Sequence, residues 1–479
     1  MMLLALSLAA FAAVPEDAGP DRSAPPKVEP AALITLPTPE VHAVRPGLNV
    51  WMLPGKGLKD VQILCAFRRG SHTLGSRQHV ELFGWVWDQA TRSMSADEVE
   101  VFEDLHDIDV SSSAGMRQVS LSLSGPVERW TEGLPLLESV LYTPRFQRSD
   151  LKKIREAQHR WLLEQAPGSA SAIVGAAHDF QWFPIGHVFR SRPEVQLTDR
   201  VRPAHLHQVH QRLLAEAPLD VLVVGDVPWT QIERELLPVL RDVGQDGAVD
   251  MEPIPFTPPS QGSVIAVDQR GASRVSLALR MAAPRTMDED YLPFILINHA
   301  LGGSFLSRLN RELREERGLT YGIDASYTGS RSLGHVDVQT EVAAENAGEV
   351  LGAVEAIFSE LAREGATSSE LAQGAAAAVS SWNNTYSTAS RVSGRYWSWL
   401  MVGRDVDSAR TRALRLSEIT PAQSQEVAER WLGPDAPRLW VLVGDRDVLE
   451  PQLEALNLKV RWLPSPYVVM GFGLEPPVP

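Results

Sequence analysis

Arg314 and Tyr321 stand seven residues apart in "RELREERGLTYG" (311–322), where a helical pattern runs through Gly318 into an alternating strand pattern. Glycine at that point is a natural helix stop, so Arg314 falls in the last turn and Tyr321 opens the strand. A helix end folded back on its own following strand can aim both side chains at one spot. Guanidinium and phenol are both donors, and a carbonyl oxygen that gains negative charge would accept from each. The spacing leaves another reading open: Arg314 pairs with Glu312, Glu315 or a helix-end carbonyl, and Tyr321 fills core.

The elements that must position this pair can be read from the surrounding pattern. Residues 288–318 are helical in period and interrupted by Gly302 and Gly303. "VQILCAFRRGS" from Val61 resembles "VSLALRMAAPR" from Val275, and "LDVLVVGDV" (219–227) resembles "LWVLVGDRD" (439–447). Helix starts near Leu151 and Leu371 fall in the same order. Three ordered correspondences indicate a duplicated unit. "MEPIPFTPPSQG" (251–262), with four prolines in twelve residues, reads as the linker between the copies. Ser95 and Glu98 make a capping box before a helix, and Val119, Leu121 and Leu123 line one face of an antiparallel type of strand. Strands and helices mixed without regular βαβ alternation predict an α+β fold of sandwiches.

The 479 residues carry a formal net charge of −15 with scattered cations, which argues against a nucleic-acid surface. The lone Cys65 sits in an apolar run and does not identify a compartment. Residues 1–18 have the shape of a secretory signal peptide, too short to span a bilayer, and 19–35 form a proline-rich leader. A periplasmic or secreted location with no stable membrane span is the expectation.

The run "LINHALGGSFLSRLNRELREERGLTYGIDASY" resembles the C-terminal half of pitrilysin/insulinase-type metallopeptidases: the glycine loop Gly302-Gly303-Ser304, the Ser307-Arg308-Leu309 step, and the Arg-x-x-Arg-Gly-Leu-x-Tyr ending. The resemblance implies two homologous halves of α/β sandwiches, with mainly antiparallel sheets flanked by helices, forming one side of a clam-like chamber. It divides the chain into an N-terminal domain (36–250) with a degenerate zinc motif, the linker, and a C-terminal domain (263–479). It further implies that Arg314 and Tyr321 bind peptide and stabilise the transition state, and that Gly302, Gly303 and Ser304 guide substrate.

Such enzymes carry His-x-x-Glu-His on a helix, where two histidines four apart hold zinc and the glutamate activates water. Here "GSRQHVELFGWVWDQ" offers His79 and Glu81, but Phe83 or Gly84 stands where the second histidine belongs. The downstream helix has Arg160 or Trp161 near the remaining ligand position, with Glu156 and Glu164 nearby. None of the twelve histidines has a histidine at i+4, and the cluster His205, His207, His210 reads as an ordinary helix face. No metal site and no cofactor are therefore expected in this chain. The pattern resembles heterodimeric members of the family, in which a homologous zinc-bearing partner subunit completes the site and unfolded peptides are the substrates. The other reading is a catalytically inactive scaffold or binding subunit.

Overall fold

The computed structural model describes residues 37–190, 200–250, 252–401, 403–404 and 406–464. The expected signal peptide and leader lie outside the described residues. Among the described residues, twelve strands form two six-stranded sheets. The first contains β1 (Glu40–Arg45), β2 (Leu48–Pro54), β3 (Asp60–Phe67), β4 (Asp109–Ala114), β5 (Val119–Pro126) and β6 (Leu219–Gly225), in the order β1-β2-β6-β3-β5-β4. The second contains β7 (Ser263–Asp268), β8 (Arg274–Ala282), β9 (Thr320–Gly329), β10 (Gly334–Ala343), β11 (Arg438–Gly444) and β12 (Val460–Leu463), in the order β12-β7-β11-β8-β10-β9.

The duplication read from the sequence is visible in the pairing. β3 runs antiparallel to both β5 and β6, and β2 is parallel to β6; β8 is antiparallel to both β10 and β11, and β7 is parallel to β11. The sixth strands differ, since β1 is antiparallel to β2 whereas β12 is parallel to β7. The two repeated sequence runs occupy β3 with β8 and β6 with β11. Mixed α+β architecture with two helix-flanked sheets is thus the observed fold.

Ten helices matter here: α1 (Arg77–Val86), α2 (Ala96–His106), α3 (Ala170–Trp182), α4 (Pro203–Glu216), α5 (Tyr291–Leu301), α6 (Ala347–Glu364), α7 (Ser368–Thr385), α8 (Ala389–Met401), α9 (Val406–Ser417) and α10 (Pro421–Leu432). Ser95 and Glu98 form the reciprocal cap that starts α2. The main core of each half lies between its sheet and its own helices, α5, α6 and α10 among them in the second half. The opposite faces are covered by exchange. From the first half, α3 lays Ile173, Val174, Ala177 and Trp182 on Ile265, Val267, Ala278 and Val441 of the second sheet. From the second half, α8 lays Val392, Tyr396, Trp397 and Trp399 on Leu53, Ala66, Leu222 and Val224 of the first. Each fully buried large apolar side chain contributes on the order of 1.5–3 kcal/mol, so the exchange is a substantial source of cohesion. The segment between the halves is also pinned: Ile254 N–H donates to Ser332 Oγ at 2.8 Å, and Arg117 donates to the Glu252 carbonyl.

A polar cluster sits inside one of these contacts. Arg280 on β8 bonds Asp337 on β10 at 2.7 Å and Asp179 on α3 at 3.0 Å. His178, fully buried beside them, lies 3.7 Å from the Asp337 carboxylate. Burial, and then the charge of Arg280, push the His178 imidazole down from 6.5 to about 3. The folded state therefore holds this imidazole neutral, while the unfolded chain takes up a proton below pH 6.5. Stability should be full above that pH and fall as pH drops toward 3. Asp337 is also held below its ordinary 3.8, so its contribution is lost mainly at lower pH still. Two pH units of the His178 window correspond to about 2–3 kcal/mol. Urea unfolding at pH 6.5 and 4.5 should show a loss of that order, largely abolished in His178→Leu; an unchanged pH slope in the variant would contradict this assignment.

Candidate functional site

The glycine loop begins where α5 stops. The N–H groups of Gly302 and Gly303 both donate to the Asn298 carbonyl, at 3.1 and 2.9 Å. A Cβ at Gly302 would lie 2.6 Å from the Ala325 Cβ, so only glycine allows β9 to approach this closely. β9 is an edge strand, and its outer backbone groups need partners. At Ala325 the N–H donates to the Gly302 carbonyl at 3.2 Å and the carbonyl accepts from Asn298 Nδ2 at 2.9 Å. At Ile323 both groups are taken by the Asn310 amide, at 3.2 and 2.8 Å, and the same Nδ2 also reaches the Ser304 carbonyl at 3.1 Å. Two buried asparagines thus lock the loop to the strand.

Arg308 fixes the other side. Nearly buried, it bonds Glu370 through two nitrogens at 2.8 Å, Glu360 at 3.1 Å and the Gly365 carbonyl at 3.1 Å. Although its partial burial works the other way, hydrogen bonds from Arg308 and the Thr367 backbone hold the Glu370 carboxyl down to about 2.

Arg314 lies on a wide π-helical turn, Arg311–Glu316, anchored by buried Leu313. The chain reverses at Gly318, whose φ of +64° suits glycine, and Leu319 N–H donates to the Leu313 carbonyl at 2.8 Å. Of the neighbouring carboxylates, Glu312 is engaged with Arg317 at 2.8 Å and Glu316 with Arg311 at 3.9 Å, while Glu315 is exposed and forms no ion pair with Arg314. Arg314 has no ion pair among the described residues. Its guanidinium lies 3.8 Å over the Phe305 ring, and its Nη1 is buried without a hydrogen-bond partner. Tyr321 is 87 % exposed, so it does not fill core. Its ring lies 5.9 Å from the guanidinium of Arg274, which pairs with Glu341 at 3.2 Å. No hydrogen bond or ring contact joins Arg314 to Tyr321. The structure places both beside the same strand end but against different neighbours. Phe305 and Leu306, at 61 % and 70 % exposed, extend the loop as an apolar rim.

Phe305, Arg274, Asn298 and Asn310 are parts of this arrangement that residue spacing did not identify. Phe305 directly follows Gly-Gly-Ser, and an aromatic residue on a glycine-rich turn was the available signal.

The α1 region shows why a zinc ion does not fit. Phe83, at the position of the missing histidine, is fully buried against Trp87 and Phe146. A Cβ at Gly84 would lie 2.5 Å from the Ala114 Cβ, leaving no room for an imidazole. His79 stacks on His205 at 4.3 Å, and Glu81 is paired with Arg77. Burial, and then His205, lower the His79 pKa. His207 packs on Phe146, and buried His210 faces the Leu141 carbonyl at 2.8 Å. Glu156 pairs with Lys152. Among the described residues no group of three metal-ligating side chains converges. An open cavity of about 500 Å³ lies beside α1, bounded by Trp85, Asp88, Glu103 and Ser112. There Asp88 accepts from Ser112 N–H at 2.7 Å and Glu103 from Val110 N–H at 2.8 Å, closing the β4 edge; burial raises both carboxyls.

Residues 200–377, which include the glycine loop, Arg314 and Tyr321, match the family described as the peptidase M16 inactive domain. This segment is therefore similar to the M16 inactive domain. The pitrilysin/insulinase-type resemblance thus rests on a family match as well as on the sequence motifs. The fold agrees over most of the chain. A peptidase M16 inactive domain from Pseudomonas fluorescens superposes with a TM-score of 0.75 at 19% identity, covering 85% of this chain and 98% of that one. A protease from Helicobacter pylori gives 0.71 at 16%, covering 85% and 100%. The periplasmic protease PqqL from Escherichia coli gives 0.72 at 13%, covering 88% of this chain but only 47% of its own length. Comparison with curated proteins gives no match. No helix of the described residues is long and apolar enough to cross a membrane.

The two sites respond differently to substitution and to metal. Asn310→Ala strands the Ile323 backbone groups and should cost about 1–3 kcal/mol for each buried group left unpaired, whereas Arg314→Ala should cost under about 1 kcal/mol; urea titration distinguishes them. Equal costs would make Arg314 a structural residue. Elemental analysis of the purified chain should find well under one zinc per molecule, and a tight stoichiometric zinc would overturn the reading of α1.

Proposed function

We propose that this chain is the zinc-less subunit of a heterodimeric metallopeptidase, bringing Arg314 and Tyr321 to a peptide whose hydrolysis is completed on a homologous, zinc-bearing partner. The observation that carries this reading is Arg314 itself. A partly buried guanidinium with no carboxylate partner among the described residues, stacked on an aromatic ring beside a glycine loop, is costly to keep unless a ligand satisfies it. Tyr321, extended into solvent, is an unused phenolic donor on the adjoining strand.

On this reading an extended peptide lies along the glycine loop, where the close-packed Gly302 and Gly303 keep side chains out of its path. Arg314 and Tyr321 donate hydrogen bonds to the carbonyl oxygen of the bond to be cleaved, and these bonds strengthen as negative charge collects there. The partner's zinc would supply activated water. Phe305 and Leu306 offer apolar contact to the flanking side chains. Because Arg314 and Tyr321 do not touch in the free chain, the peptide oxygen would be what they share. An unfolded peptide in the periplasm or another secreted compartment suits this role, and the E. coli relative named as a periplasmic protease supports the setting.

The second reading is an inactive scaffold or binding subunit. It is favoured by the separation of Arg314 from Tyr321 and by the complete filling of the α1 site with core residues.

Mixing this chain with a homologue that carries His-x-x-Glu-His, each alone as control, should give peptide hydrolysis only in the mixture. Tyr321→Phe and Arg314→Ala should each lower kcat on the order of a hundredfold without blocking assembly. A complex that forms and is indifferent to both substitutions would establish the scaffold instead.

A further inference from the structure

At the other end of α5 from the glycine loop, positive charge gathers around one aromatic ring. The guanidinium of Arg404 lies 4.6 Å from the Tyr291 ring centroid and that of Arg412, on α9, lies 5.2 Å from the same ring. Arg395, on α8, joins them from the next helix: its burial and the charge of Arg412 lower its pKa, and Tyr291 opposes this. Arg404 donates to the Thr286 carbonyl, which uses one of its nitrogens. None of the three arginines forms an ion pair among the described residues, and all are partly buried. Of the three carboxylates that precede Tyr291, Asp288 holds Arg285 at 3.0 Å, Asp290 holds Arg430 at 2.6 Å and Trp431 Nε1 at 2.8 Å, and Glu289 is exposed and forms no ion pair with any of the three arginines. Tyr327, the adjoining ring, spends its hydroxyl on the Pro284 carbonyl at 2.7 Å.

A second feature marks the place. Thr286 is only 9 % exposed, and its hydroxyl is buried with no hydrogen-bond partner. A buried hydroxyl without a partner costs about 1–3 kcal/mol, and like charges crowded at reduced solvent contact cost more. Both costs disappear if one multiply charged acceptor enters: guanidinium forks match the oxygens of phosphate in paired hydrogen bonds. We propose that Arg395, Arg404, Arg412 and the Thr286 hydroxyl form a binding site for a dianionic oxyanion of the phosphate class. This site is independent of Arg314 and Tyr321, and of whether the chain has a catalytic partner. Inorganic phosphate and the phosphate of a small monoester share the recognised chemistry.

The test is thermal unfolding of the full chain in inorganic phosphate, in AMP, and in sodium chloride at matched ionic strength, with calorimetric titration of phosphate. Phosphate should raise Tm beyond the chloride control. In Arg412→Ala and Arg395→Gln the gain should vanish and phosphate should bind on the order of tenfold more weakly or worse. In the absence of phosphate both variants should keep or exceed the parent Tm, because one of three crowded like charges has been removed. A gain from phosphate alone assigns the free ion; a gain from AMP as well assigns a phosphomonoester. A phosphate effect no larger than that of chloride, or an equal gain in both variants, would overturn the proposal.

Discussion

A strand at the rim of a sheet leaves alternate N–H and C=O groups without a neighbour, and at β9 those groups are satisfied from within the chain. Asn310 takes both groups of Ile323, while Asn298 and the Gly302 carbonyl take those of Ala325. This closure fixes the distance between loop and strand and demands glycine at 302. It also sets the wide turn that presents Arg314 above Phe305, and it leaves Tyr321 just beyond the last sealed residue. Strand addition at Ile323 and Ala325 is blocked by the same bonds, so a peptide bound as proposed would be guided past the strand rather than paired along its whole length. The rigidity comes from the amides and from Arg308 with Glu370; Arg314 and Tyr321 form none of these bonds.

The first half solves the same edge problem with a different chemistry. On β4 the outer N–H groups go to the carboxylates of Asp88 and Glu103, beside the helix that would carry a zinc motif. Phe83 and Gly84 convert that helix into a packing surface against Trp87, Phe146 and Ala114. The halves are then held together by the exchanged helices α3 and α8, whose buried contacts include the polar cluster of His178, Arg280 and Asp337. One architecture thus supports two halves that diverged in which side chains their edges present.

Local pattern made much of this legible. The alternation of Val119, Leu121 and Leu123, the Ser95–Glu98 cap, the glycine stop before Tyr321 and the repeated strands each follow from short-range physics, and each has its counterpart in the fold. What spacing could not give were partners distant in sequence. Asn298 and Asn310 look like helix residues until β9 is seen to need them. The apolar faces of α3 and α8 reveal burial but not that each covers the other half's sheet. Arg314 had three acidic neighbours in sequence, and only the geometry shows Glu312 and Glu316 spent on other arginines and an aromatic ring in their place. The broken zinc motif is legible from residue identity alone, because Phe83 cannot ligate a metal in any fold.

The central claim is that Arg314 and Tyr321 converge on one oxygen of a bound peptide. A structure of the assembled heterodimer with a non-hydrolysable peptide tests it most directly. The account predicts the Arg314 guanidinium and the Tyr321 hydroxyl about 3 Å from the same carbonyl oxygen, next to the partner's zinc. A peptide bound elsewhere, with Arg314 still stacked on Phe305 and Tyr321 in open solvent, would contradict it.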